Sequence, residues 1–321
     1  MAIVNITFGS HYDRPAFEQL VATSGWSLDA WIQAAANEFV VSGRTLDEFN
    51  DLLESILYDQ LRKDASGLPV SRHLLQVLND PTLSEKNRIF DVCEFFENTY
   101  KDASLIGVVH FLIAAAKAGR KPYAIITFNA DTLLETLIYL FLRRDHYKGP
   151  GPHGNPLYHY KSVNRPTLIA HHQYKEKTSI FHCHGTIMPR LAAPPRPKDS
   201  RDRLVFLEQE YLRIASTTAS WPETLFLFHA QTTRMVFAGL SMSDANIRRW
   251  MRASETELSL DYVRVFSGKR VNPEHLWITR KPADITLTRL KLVSMLHLGI
   301  RPAWISDWAE LEEALCNMLA I

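Results

Sequence analysis

The chain has 321 residues, 46% of them hydrophobic and 22% charged, which allows a sizeable buried core and matches ordinary globular composition. Lys and Arg number 36 against 35 Asp and Glu, so a net charge of +1 supplies no global field toward nucleic acid or a membrane surface. The three cysteines, Cys93, Cys183 and Cys316, lie far apart and form no CxxC pair, which argues against a cysteine-built zinc site or a disulfide framework and for a reducing cytoplasm.

The first residues, "MAIVNITFGSHYDRP", lack the basic segment and long apolar run of a signal peptide. "IVNITF" alternates and is β-branched, which predicts an opening strand, broken by "GSHYDRP". From Pro15 to about Leu61 the apolar spacing is helical, with breaks at Ser24-Gly25 and Ser42-Gly43. Helices are predicted from Val70 to Asn79 and from Glu85 to Tyr100. A further one covers "DASLIGVVHFLIAAAKAGRKP", stopped by Gly119. Its apolar stretch is shorter than the roughly 20 residues that span a bilayer.

Beyond Pro122 the period changes. "YAIIT" is a buried strand, "FNAD" a loop and "TLLETLIYLFLRR" a helix. "SIFHCH" is a strand, "LVFLEQEYLRIAS" a strand running into a helix, and "TRMVFAG" a strand followed by the loop "LSMSD" and the helix "ANIRRWMRA". "HLWIT", "LTRLKLVSMLHLG", "IRPAWI" and "DWAELEEALCNMLA" then alternate strand and helix. The Gly- and Pro-rich stretch 145–166 and the Pro-rich, basic stretch 188–203 read as surface loops or lids. The pattern predicts an α/β fold with a Rossmann-like, mostly parallel sheet and helices on both faces. As one domain over 1–321, it has a helical insertion or subdomain at about 15–118, a main α/β part at 119–321, and 1–12 as first strand. Ligands of such sheets bind where strands end.

Four loops carry polar residues suited to chemistry. After the first strand, Gly9 and Ser10 form a minimal phosphate loop, and one glycine is a weak signal. In "ITFNADTLLE", Asn129 can orient a ligand through its amide, and Asp131 can cap the next helix or face the pocket. In "SIFHCHGTI", strand alternation predicts His182 and His184 on one face and Cys183 on the other, so a three-ligand metal site is not expected. Gly185 permits a sharp turn that exposes His184 to a ligand, although such a histidine alone serves structure more often than catalysis. In "FAGLSMSDANIRRWM", the turn after Gly239 can bind phosphate or ribose oxygens, or Ser243 or Asp244 can simply cap the helix.

The order of these motifs resembles the sirtuin family, NAD-consuming enzymes on a Rossmann-like fold. "TFNAD", Thr127–Asp131, is similar to the family's T-x-N-x-D; "HCHG" resembles its H-G motif; "AGLSMSD", Ala238–Asp244, is similar to its G-x-S ribose-binding turn. "LVFLEQEYLR", with Tyr211, and "LGIRPAWISDWAELEEAL" resemble the bacterial sirtuin-like branch of antiviral defence. The resemblance covers about 120–320 well and 1–20 loosely.

Two departures carry consequences. Protein-deacylating sirtuins have a four-cysteine zinc ribbon that this chain cannot build, which favours plain NAD hydrolysis with no metal. The first loop, "FGSHYDRPAF", keeps Pro15 and Phe17 but is shortened, leaving the pyrophosphate to a remodelled loop or another subunit.

The resemblance implies NAD as substrate, with Asn129 and His184 catalytic and Gly9, Ser10, Thr127, Asp131, Gly239 and Ser241 binding. It also implies a cytoplasmic NADase effector of abortive infection. Such an effector would be a homo-oligomer or a complex with an operon-encoded sensor, open to a nucleotide activator, with no membrane or direct nucleic-acid partner. The alternatives are a non-catalytic sirtuin-fold nucleotide-binding subunit and, with no GxGxxG present, less well an NAD(P) oxidoreductase.

Overall fold

A computed structural model describes residues 28–149, 159–164, 177–189, 220–240, 242–265 and 275–321. The chain runs through helices α1 (Leu28–Val41), α2 (Leu46–Asp64), α3 (Leu74–Asn79, after a 3₁₀ turn at Pro69–Arg72), α4 (Lys86–Thr99) and α5 (Ser104–Lys117). Strand β1 (Ala124–Thr127), helix α6 (Leu133–Lys148) and strands β2 (Tyr160–Val163) and β3 (Thr178–His182) follow. Then come α7 (Trp221–Thr232), β4 (Val236–Phe237), α8 (Ala245–Val265), β5 (His275–Arg280), α9 (Ile285–Leu296) and β6 (Ile300–Ile305). A 3₁₀ turn at Trp308–Glu310 leads into α10 (Leu311–Leu319). The described residues form two compact units, one within 1–100 and 121–218, the other within 101–120 and 219–321. Every described element before β1 is helical, and the last of them, α5, belongs to the second unit.

In the first unit β1, β3 and β2 form a parallel three-stranded sheet with β3 in the centre. The central strand is the most buried, with Ile180 inaccessible and Phe181 and His182 almost so. Gly43, at φ +83°, breaks α1 from α2 in the left-handed conformation that glycine adopts without a Cβ penalty. Thr45 and Glu48 then cap α2 reciprocally, the hydroxyl accepting the Glu48 N–H and the carboxylate accepting the Thr45 N–H. Helices α4 and α6 pack together and are tied by a two-pronged ion pair from Arg144 to Glu97, at 2.5 and 2.8 Å. That pair fixes the orientation of α6, which matters below because α6 carries Glu135.

Two elements differ from expectation here. "YKSV", inside the stretch read as a loop, is strand β2, its Val163 inaccessible to solvent, because a short edge strand can hide among glycines and prolines. β3 stops at His182 instead of continuing through His184. The Cys183 N–H still donates to the Thr127 carbonyl at 3.0 Å, and the chain then turns through Gly185 at φ +78°.

In the second unit β4, β5 and β6 form another parallel sheet in that order, its core built from Phe226, Phe237, Trp250, Trp277 and Ile278. Helices α5 and α10 pack together, as do α7 and α8. The sequence pattern does not predict helix α7 over "WPETLFLFHAQT"; it starts after Ser220, whose side chain makes no capping hydrogen bond, with Pro222 in its first turn, a favoured start. His275 is buried and accepts the Met235 N–H through Nδ1; burial lowers its pKa to about 4, so it is a neutral, structural histidine. No helix among the described residues is long and apolar enough to cross a membrane. The predicted first strand and "LVFLEQEYLRIAS", with Tyr211, lie outside the described residues, as does most of 188–203.

Candidate active site

The polar loops of the first unit converge at the carboxyl end of its sheet. After β1, the Thr127 hydroxyl accepts the Asn129 N–H at 3.1 Å, turning the chain so that Asn129 stands exposed to solvent. Ala130 is buried, and its carbonyl accepts the Ile187 N–H at 2.7 Å, with Asp131 and Ile187 forming a parallel bridge. The loops after β1 and β3 are thus stitched together beyond the strands themselves.

Asp131 is half-buried, and its carboxylate accepts the Leu133 N–H at 3.0 Å, taking up a free amide at the start of α6. Burial, reinforced by the Glu135 charge, raises its pKa above the ordinary carboxylate value. The capping role read from the sequence is present, and the carboxyl remains at the site's edge.

After β3 the three neighbours of "HCH" have three different environments. His182 is 1% exposed and Cys183 is buried, its thiol pushed up by desolvation, while His184 is only partly covered, its ring 5.0 Å from that of Phe128. The expectation that His182 and His184 share a strand face is therefore corrected: His184 lies in the turn and His182 points into the core. No group of three or more His, Cys, Asp or Glu among the described residues could hold a metal ion.

His182 and Glu135 form a buried ion pair, Nε2 to Oε1 at 3.0 Å. The N–H of Nε2 is not aligned on the carboxylate, so charge more than hydrogen-bond geometry joins them. Burial alone would neutralise both groups. The mutual charge and contacts outweigh it: the Glu135 pKa is lowered and the His182 pKa raised, both shifts favouring the charged forms. Nδ1 of His182 lies 3.4 Å from the Asn129 carbonyl, and Ser162 at the end of β2 donates to Glu135 at 3.3 Å. Asn164, just beyond β2, donates to the Thr186 hydroxyl at 3.1 Å.

Glu135 and Tyr58 were not singled out by sequence. Glu135 looks there like an ordinary acid in the first turn of a helix. Tyr58, inaccessible on α2, donates from its hydroxyl to the Ile187 carbonyl at 2.7 Å and accepts the Thr132 N–H at 3.5 Å, touching the loops after both β3 and β1. Its only sequence signal is a tyrosine on the apolar stripe of a helix.

In the second unit Gly239, at φ +73°, turns the chain after β4. Asp244 accepts the N–H groups of Asn246 and Ile247, so it caps α8. The arginines of α8 are engaged: Arg248 donates to the Met242 carbonyl, Arg252 to the His297 carbonyl, and Arg249 pairs with Glu223. A cavity of about 890 Å³ lies at the carboxyl ends of β5 and β6, lined in part by Arg280, Lys281, Lys291, Ser306 and Trp308. Gly9, Ser10 and Ser241 lie outside the described residues.

Parallel strands whose carboxyl-end loops carry the exposed polar groups define an α/β protein of the Rossmann-like kind, in which ligands bind at the strand ends. Residues 123–294, more than half of the chain, match the SIR2-like domain family, and the protein belongs to that family. The comparison with curated proteins finds no match. Family membership implies an NAD-related function and is compatible with NAD-dependent enzyme activity.

Proposed function

We propose that the protein is an NAD glycohydrolase, converting NAD⁺ and water into nicotinamide, ADP-ribose and a proton. The observation that carries the reading is the placement of an exposed Asn129 and a partly exposed His184 on the loops that follow two adjacent strands, β1 and β3, of a SIR2-like sheet. Breaking the bond between nicotinamide and ribose creates an oxocarbenium-like centre, and the cationic ring makes nicotinamide a reasonable leaving group. The protein's part is to hold the ribose, orient the carboxamide and present water. Asn129 positions the ribose or the attacking water. His184 is the general base that takes the proton from water or a ribose hydroxyl, a role that contributes about 10²–10⁴-fold. Asp131 receives the carboxamide, and Thr127 keeps the loop in shape. Gly239 and Ser241 serve the adenosine ribose or the phosphates, and Gly9 and Ser10 the pyrophosphate.

No metal takes part in this chemistry. The absence of four cysteines for a zinc ribbon favours hydrolysis over protein deacylation. Continuous NAD hydrolysis would kill a cell, so the proposed role is that of a regulated effector. It would run at a low basal rate until an oligomer, a partner sensor or a nucleotide signal activates it, in the manner of antiviral abortive infection. Incubating the purified protein with NAD and separating the products by chromatography tests the reading: equimolar nicotinamide and ADP-ribose support it. NAD bound but returned intact under all activating conditions supports a non-catalytic nucleotide-binding subunit instead.

A further inference from the structure

We infer that His182 and Glu135 are positioning residues for the candidate active site, holding the Asn129 loop through a buried, charged side-chain bridge. The inference rests on the hydrolase reading for its catalytic consequence but not for its structural one.

A buried ion pair is seldom the cheapest way to fill space. Apolar side chains of like volume are often as stable, because desolvating two charges offsets most of their attraction. Here the pair spans four pieces of the site. Glu135 lies one turn into α6, His182 closes β3, Ser162 at the end of β2 donates to the carboxylate, and Nδ1 of His182 faces the Asn129 carbonyl at 3.4 Å. Both ring nitrogens face oxygen acceptors, Nε2 the Glu135 carboxylate and Nδ1 the Asn129 carbonyl, an arrangement that calls for a proton on each, so that Nδ1 is the donor and the Asn129 carbonyl its acceptor. The charge on Glu135 therefore fixes the protonation of a group on the opposite side of the ring, and that group grips the backbone of the loop bearing the proposed catalytic amide. Among the described residues Asn129 has one other tether, its N–H to the Thr127 hydroxyl. His182 also lies two residues before His184, so the same bridge anchors the start of the second catalytic turn.

Two double variants separate positioning from plain stabilisation. His182→Gln with Glu135→Gln removes both charges but keeps an N–H donor of similar reach. His182→Leu with Glu135→Leu also removes both charges, orphans none, and removes the donor. Amide hydrogen exchange is read at residues 128–132 and along β3, together with nicotinamide release. The Leu pair is expected to exchange faster at 128–132 while β3 stays protected, and to lose ~10²-fold in kcat with KM little changed, the scale of an ångström-level misplacement. The Gln pair is expected to recover protection at 128–132 and most of the rate. Unchanged exchange at 128–132 in the Leu pair overturns the inference, as does loosening spread evenly through β3. If the unsubstituted protein releases no nicotinamide, the hydrolase reading fails, and the exchange comparison still decides the positioning role.

Discussion

At the scale of single residues, the site divides into groups that face solvent and groups that hold them. Asn129 and His184 are accessible; His182, Cys183 and Tyr58 are sealed. Asn129→Ala and His184→Ala are therefore expected to leave the fold and thermal midpoint almost unchanged while lowering nicotinamide release by about 10²–10⁴-fold. Glu135→Gln behaves oppositely: it removes the counter-charge that favours the buried imidazolium and should cost about 3–5 kcal/mol in denaturant unfolding at low pH. The pH dependence carries a sign. His182 has its pKa raised in the folded state, so its contribution is complete below about 6.5 and is lost as pH rises through the higher folded value. Glu135, and more weakly Asp131, are the carboxylates that act on it. In Glu135→Gln the largest influence on the ring, burial, is opposed only by the Asn129 carbonyl and Asp131, so this contribution is expected to reverse and stability to rise with pH across the same window. Unfolding curves from pH 6 to about 9 for the two proteins should thus diverge most at low pH and converge toward high pH; a constant gap would show that the pair is not ionised. At this scale the sequence disclosed Asn129 and His184, because glycine and strand ends mark their loops. It could not disclose Glu135 or the fate of His182. Their pairing joins residues 47 positions apart across a helix and a strand, and strand alternation failed where β3 ended two residues early.

Among elements, the loops after β1 and β3 are held from three sides: by each other through Ala130 and Ile187, by α6 through Glu135, and by α2 through Tyr58. Tyr58→Phe keeps the packing but strands the Ile187 carbonyl and the Thr132 N–H, so it should cost about 1–3 kcal/mol. It should also raise hydrogen exchange at both loops together; exchange rising at one loop alone would mean that the tyrosine does not join them. Gly185→Ala meets the left-handed turn at φ +78° and should cost about 1–2 kcal/mol and displace His184, read as lost turnover in a folded protein. Most elements were legible because their periods are strong: β1, α6, β5, β6 and the helices before β1 follow their apolar spacing. β2 was hidden by a Gly- and Pro-rich surround, and α7 lacks a clear apolar stripe, since its buried side chains are mixed with exposed Phe228.

At the scale of the whole molecule, a near-neutral chain with parallel sheets and a SIR2-like core directs attention to a nucleotide, not to nucleic acid. The effector role predicts a low basal rate that rises on assembly or with a partner or nucleotide. Full-speed NAD destruction by the isolated protein would remove the reason for invoking regulation. The most direct test of the central claim is a matched comparison of the unsubstituted protein and folded His184→Ala at high protein concentration with NAD, following nicotinamide and ADP-ribose over hours. Equimolar accumulation of both products by the unsubstituted protein, with His184→Ala at the level of buffer, is the predicted result; equal release by the two proteins would contradict it.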